Sequence, residues 1–182
     1  MIVVACLGDS ITEGSPFWDS RRRRGDPTVP WQHWAALRFP ELELRNFGIW
    51  GERTDEIAAR FDEAADGADA LIVLGGINDI AQGRPVEPAA ATLRELVDRG
   101  RALGVPVAVC DVLPWKPQAG EAIRSLNTLI RAFDVPLLPF HDTLVDPVHP
   151  GRMKAEWSHT DGDHPSRAGY RRLGEAAFRW PF

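Results

Sequence analysis

The opening residues Met1-Ile2-Val3-Val4-Ala5-Cys6-Leu7-Gly8-Asp9-Ser10 decide the fold. Residues 2–7 are apolar throughout and of strand length, and Gly8-Asp9-Ser10 stops them abruptly. A strand without polar alternation is covered on both faces, the usual condition inside a parallel sheet. No basic residue precedes the run, so it reads as a core strand and not as an export signal. Similar runs recur at residues 70–74, 105–110 and 135–139. Residues 42–47 alternate instead, which suits an edge strand.

Helical patterns fill the intervals. Residues 54–65 place Ile57, Phe61 and Ala64 on one face. Residues 88–103 align Leu93, Leu96, Val97, Gly100 and Leu103, with Gly104 as a natural stop. Residues 121–133 align Ile123, Leu126, Ile130 and Phe133. A last helix is expected over 166–178, just after Pro165, and a shorter one over 30–39. Strands alternating with helices predict an α/β protein with a three-layer α/β/α architecture and about five parallel strands.

The chain has 182 residues and a mass of 20.2 kDa, the size of one domain spanning 1–182. Hydrophobic residues at 44% and charged residues at 26% exclude a disordered chain. No apolar run reaches the ~18 residues of a membrane helix. A net charge of -5 argues against nucleic acid as a partner. Cys6 and Cys110 each lie in a strand-like run, and two isolated thiols predict buried free cysteines in a cytoplasmic protein.

In an open parallel sheet, ligands bind beyond the carboxyl ends of the strands. Four segments fall there: residues 8–14, residues 46–51, residues 75–79 and Asp161-Gly162-Asp163-His164-Pro165. Ser10 is a candidate nucleophile, and its hydroxyl needs a base. His164 can be that base, and Asp161 can fix its tautomer. The Ser10 N–H, a glycine N–H after the second strand and the Asn78 amide could receive an oxyanion. Asp9 and Asp79 are expected to order their own turns by accepting backbone N–H bonds.

Taken in order, these blocks resemble the SGNH, or GDSL-type, hydrolases. The matching residues are Gly8-Asp9-Ser10 with Gly14; Asn46, Gly48 and Gly51; Gly76-Ile77-Asn78-Asp79; and the Asp161 to Pro165 segment followed by Gly169-Tyr170. The resemblance covers residues 8–170. It implies a flavodoxin-like sheet and ester hydrolysis through an acyl-enzyme, without a cofactor. It makes Ser10 the nucleophile, His164 the base and Asp161 its partner. Ser10, Gly51 and Asn78 would form the oxyanion hole, although Gly48 competes with Gly51 for that place.

Residues 8–14 lack the Gly-Lys-Ser/Thr ending of a phosphate loop. Four of the five histidines lie between His141 and His164 among several aspartates, a composition open to metal binding. Without a His-Glu-x-x-His pattern or a cysteine there, they read instead as loop histidines. Trp31, Trp34 and Trp180 suit the core, whereas Trp18, Trp50, Trp115 and Trp157 fall in rim loops as candidate substrate walls. Arg21, Arg22, Arg23 and Arg24 form a basic run that is either solvated or a contact for an anion. The expected activity is hydrolysis of a small, short-acyl ester, a carbohydrate or metabolite acetate first. A thioesterase or lysophospholipase is the enzymatic alternative, and a non-catalytic binding module on the same fold is the other.

Overall fold

The computed structural model describes every residue except Ser20 and Pro181. In chain order it contains β1 (Ile2–Gly8), the single-turn α1 (Ser10–Glu13), the short pair β2 (Trp18–Asp19) and β3 (Arg24–Gly25), and α2 (Trp31–Arg38). β4 (Leu42–Gly48), α3 (Thr54–Ala59), α4 (Phe61–Ala65), β5 (Ala70–Val73), α5 (Ile77–Ala81) and α6 (Val86–Leu103) follow. The remainder is β6 (Val107–Cys110), α7 (Gly120–Arg131), β7 (Leu137–Leu138), α8 (Phe140–Leu144) and α9 (Arg167–Arg172).

Five strands form one parallel sheet in the order β4-β1-β5-β6-β7. β1 lies between β4 and β5, and β4 is at the edge with Arg45 and Asn46 exposed, as its polar alternation predicts. Successive side chains of a strand point to opposite faces. Val4 and Cys6 therefore join Trp31, Phe140, Tyr170 and Phe178 on one side of the sheet. Ala5 and Leu7 join Ile57, Leu93, Leu96 and Leu126 on the other. Two separate apolar cores with the sheet between them make the three-layer α/β/α sandwich. Cys6 and Cys110 are buried and not bonded to each other, and burial pushes both thiols well above their ordinary pKa.

Several elements depart from the sequence expectation. The 54–65 helix is broken at Arg60, which leaves helical geometry with φ -99 and ψ 7. Its guanidinium donates to Phe47 O at 2.9 Å and Gly8 O at 3.2 Å and pairs with Glu52 at 2.5 Å. Arg60 thus satisfies carbonyls at the ends of two strands, which periodicity does not reveal. The last helix stops at Arg172 and widens into a π turn over Leu173–Ala177. The segment after α1 holds the β2–β3 ladder and the segment after β7 holds α8, two short elements with no counterpart in the sequence patterns above. Trp31 is fully buried, while Trp34 is only partly covered and lies beneath Arg171. Among the described residues no helix is long and apolar enough to cross a membrane.

Candidate active site

Counting only the sheet strands, the order is 2-1-3-4-5, so the connection from β1 runs to β4 on one side and the connection from β5 runs to β6 on the other. The crevice at such a switch point is where an open α/β sheet receives ligands. Ser10 begins α1 immediately beyond β1. Asp9 caps that turn, its Oδ1 accepting the Ile11 N–H at 3.0 Å, which is the ordering role expected of it. Among the described residues the other oxygen, Oδ2, has no hydrogen-bond partner, and the side chain is fully buried. Burial, partly offset by the Ile11 N–H, pushes the Asp9 carboxyl up to about 7.

Ser10 Oγ lies 3.1 Å from His164 Nε2, and His164 Nδ1 lies 2.9 Å from Asp161 Oδ2. Asp161 Oδ1 accepts the N–H groups of Asp163 at 2.9 Å and His164 at 3.0 Å. Partial burial raises the Asp161 pKa, but the Asp163 N–H, the His164 ring and the His164 N–H together outweigh it. The carboxyl is held well below the usual range. It is therefore ionised whenever His164 is neutral. The segment is closed on itself by the His159 N–H donating to His164 O at 2.8 Å. It is clamped to α1 from α9, whose Tyr170 hydroxyl donates to Ser15 O at 2.6 Å.

A second imidazole reaches the same carboxylate. His159 Nδ1 is 3.1 Å from Asp161 Oδ2 and also 3.3 Å from the Asp161 N–H, with its ring edge-on to Phe17. Sequence reasoning left His159 among the loop histidines. Its two-residue offset from Asp161 was the available signal. His141 pairs with Asp142 and His149 with Asp146, so the histidine-rich segment is spread over three carboxylates.

The two glycines of the second block differ. A Cβ on Gly48 would lie 2.0 Å from Glu13 N, and the Gly48 N–H already donates to Asn46 Oδ1 at 2.8 Å. Gly48 lets β4 approach α1. Gly51 has left-handed backbone, φ 80, with open space around it. Among the described residues its N–H has no protein acceptor. Asn78 donates through Nδ2 to Glu52 O at 2.8 Å, which orients the amide and leaves a second N–H. Asp79 does accept a backbone N–H, but from Thr54 at 2.9 Å and not from its own turn. It also bonds Arg84, and so ties the third block to the second.

The sequence matches the GDSL-like Lipase/Acylhydrolase family over residues 6–172. The chain belongs to that family. Solved GDSL-family structures share the fold at low sequence identity. A G-D-S-L family protein from Desulfitobacterium hafniense DCB-2 is 19% identical with a TM-score of 0.82, covering 96% of this chain and 97% of its own. A lipolytic G-D-S-L protein from Veillonella parvula DSM 2008 gives 19% and 0.79 over 96% and 94%. An acetyl xylan esterase from Geobacillus stearothermophilus gives 18% and 0.72 over 96% and 92%. No curated protein matches the chain.

Around the candidate site of this GDSL-family protein the four rim tryptophans have different surroundings. Trp50 is 62% exposed and stands next to Gly51. Trp18 is half-buried at the base of the arginine-bearing turn between β2 and β3. Trp115 donates through Nε1 to Asp163 Oδ1 at 2.7 Å, beneath Lys116. Trp157 packs against the Tyr170 core and lies beneath Arg172 and Lys154, so it anchors the loop before Asp161.

Proposed function

We propose that this GDSL-family hydrolase is a serine esterase that removes short acyl groups, acetyl first, from a carbohydrate or similar small alcohol. The observation that carries the reading is the hydroxyl–imidazole–carboxylate chain, with contacts of 3.1 and 2.9 Å. Ser10 Oγ attacks the ester carbonyl as its proton passes to His164 Nε2. Asp161 stays ionised and stabilises the imidazolium. The carbonyl oxygen becomes an oxyanion facing the N–H groups of Ser10, Gly51 and Asn78, which bind it better than the flat carbonyl. His164 then protonates the departing alcohol. Water, deprotonated by the same imidazole, attacks the acyl carbon, and as the bond to Ser10 Oγ breaks the imidazolium returns the proton to that oxygen and the acid is released.

The acyl preference rests on the space available. A narrow recess lined by Ile11, Leu74, Ile77, Val112, Leu113 and Trp115 lies against Asp9 and Asp163, the chain neighbours of Ser10 and His164. Its volume of about 10 Å³ is on the scale of one water molecule, which suits a methyl group. The test is labelling by a fluorophosphonate together with turnover of p-nitrophenyl acetate. Both are expected in the wild type and neither in Ser10→Ala. Labelling that persists in Ser10→Ala would overturn the reading.

A further inference from the structure

The arginine-bearing turn separates two depressions. One, of about 360 Å³, is lined by Glu13 and Ser15, just past Ser10, and by Trp50, Trp18, Arg21 and Arg22. The other, of about 680 Å³, runs along the edge strand β4 and includes Asn46, Ile49 and Arg23. Trp18 and Arg21 line both. The turn has a fixed base. The Asp26 N–H donates to Phe17 O at 3.0 Å, and Asp26 pairs with Arg167 of α9 at 2.6 Å. The acids lining the smaller depression are already engaged. Asp19 pairs with Arg22 at 3.4 Å, and Glu13 is almost fully buried and accepts the Ser15 hydroxyl. Among the described residues Arg21 and Arg23 have no carboxylate partner. In a chain of net charge -5 this leaves Arg21 uncompensated beside an exposed indole next to Gly51, with Arg23 on the β4 side of the turn, where Glu63 also lines the depression.

A guanidinium fork matches carboxylate and phosphate oxygens, and an indole face suits the apolar side of a ring. We propose that the alcohol half of the ester carries an anionic group, a carboxylate or a phosphate, on a sugar-like ring. The ring rests on Trp50 and Trp18, Arg21 binds the anion, and Arg23 adds to the field. This inference rests on the esterase reading and names its substrate class. Arg21 and Arg23 set specificity and take no part in bond cleavage.

The test compares a monoacetylated methyl glucuronoside, a monoacetylated methyl glucoside phosphate and the neutral monoacetylated methyl glucoside. At low salt at least one anionic ester is expected to exceed the neutral one about tenfold in kcat/KM, mainly through KM. Whichever anion is preferred identifies its chemistry. The preference shrinks as salt screens the exposed charges. It collapses in the Arg21→Gln/Arg23→Gln double variant and survives in Arg101→Gln, at the far end of α6. Equal kcat/KM on all three esters in the wild type would overturn the proposal, as would a preference that persists in the double variant. Binding of unacetylated methyl glucuronoside or methyl glucoside phosphate to Ser10→Ala, followed by tryptophan fluorescence, separates this proposal from the esterase reading. Arg21-dependent binding without any ester turnover leaves the anion site standing and ends the esterase reading. Turnover without anion preference does the reverse.

Discussion

His159 Nδ1 lies 3.1 Å from Asp161 Oδ2, the oxygen that holds His164 Nδ1 at 2.9 Å. Neutral His159 accepts the Asp161 N–H and leaves that oxygen to His164. The two rings and the N–H groups of Asp163 and His164 together fix the carboxylate. In His159→Gln it loses one of these contacts, so kcat should fall about tenfold with KM little changed. An unchanged kcat would show that His159 only packs the loop.

Ser10 and His164 are expected to act as one unit. Ser10→Ala or His164→Ala should each lower kcat by ~10⁴ or more, and the double variant should be little worse. Multiplicative losses in steady-state kinetics would show that the two side chains contribute independently.

In the proposed mechanism Asn78 meets negative charge only when the carbonyl becomes tetrahedral. Asn78→Ala should lower kcat by roughly 10²–10³ with a smaller change in KM. An effect confined to KM would make the amide a ground-state contact. Because the amide is oriented by Glu52 O, Asn78→Asp should not rescue it, since a carboxylate repels both that carbonyl and the oxyanion.

Acyl length tests the recess beside Trp115. A tunnel would gain ~0.8 kcal/mol for each methylene buried. A recess of about 10 Å³ offers no such gain. On p-nitrophenyl esters, kcat/KM should peak at acetate or butyrate and fall steeply by octanoate, with Trp115→Ala shifting the optimum to longer chains. A wild-type optimum at octanoate or beyond would favour a thioesterase or lysophospholipase.

Asp9 gives a stability prediction with a definite sign. Its folded carboxyl titrates at about 7, above the ordinary carboxylate range, so the folded state binds the proton more tightly. This contribution to stability is complete below the unfolded pKa and is lost as pH rises through the folded one. Thermal unfolding of the wild type should shift to lower temperature between about pH 4 and 7, and Asp9→Asn should remove that part of the slope. Parallel curves for the two proteins would contradict it.

Much of this was legible in the residues because burial on two faces leaves a plain mark. Leu71, Ile72 and Val73 have no polar interruption, and the alternation in Leu42-Glu43-Leu44-Arg45 marks an edge. The elements that escaped are governed by single tertiary bonds. Arg60 breaks a helix to reach the carbonyls of Phe47 and Gly8, and α1 is one turn held by Asp9. Ser10, Asp161 and His164 could be picked out because each follows or precedes a recognisable element. What distinguishes Gly48 from Gly51 is a side-chain bond that no sequence pattern encodes, the Gly48 N–H donating to Asn46 Oδ1. His159 was hidden for the same reason: a ring nitrogen's partner is a matter of loop closure.

The Tyr170 hydroxyl bond to Ser15 O has a kinetic meaning. Ser10 and His164 stand 154 positions apart, yet every strand of the sheet is complete by Leu138. The segment that carries His164 continues into α9 and the turn after it, whose Tyr170, Leu173 and Phe178 fill the core beside Val4 and Cys6. One stretch of chain therefore closes a face of the sheet and delivers the imidazole to Ser10. In a refolding experiment, recovery of turnover is expected to keep pace with recovery of the near-UV signal of the buried aromatic rings.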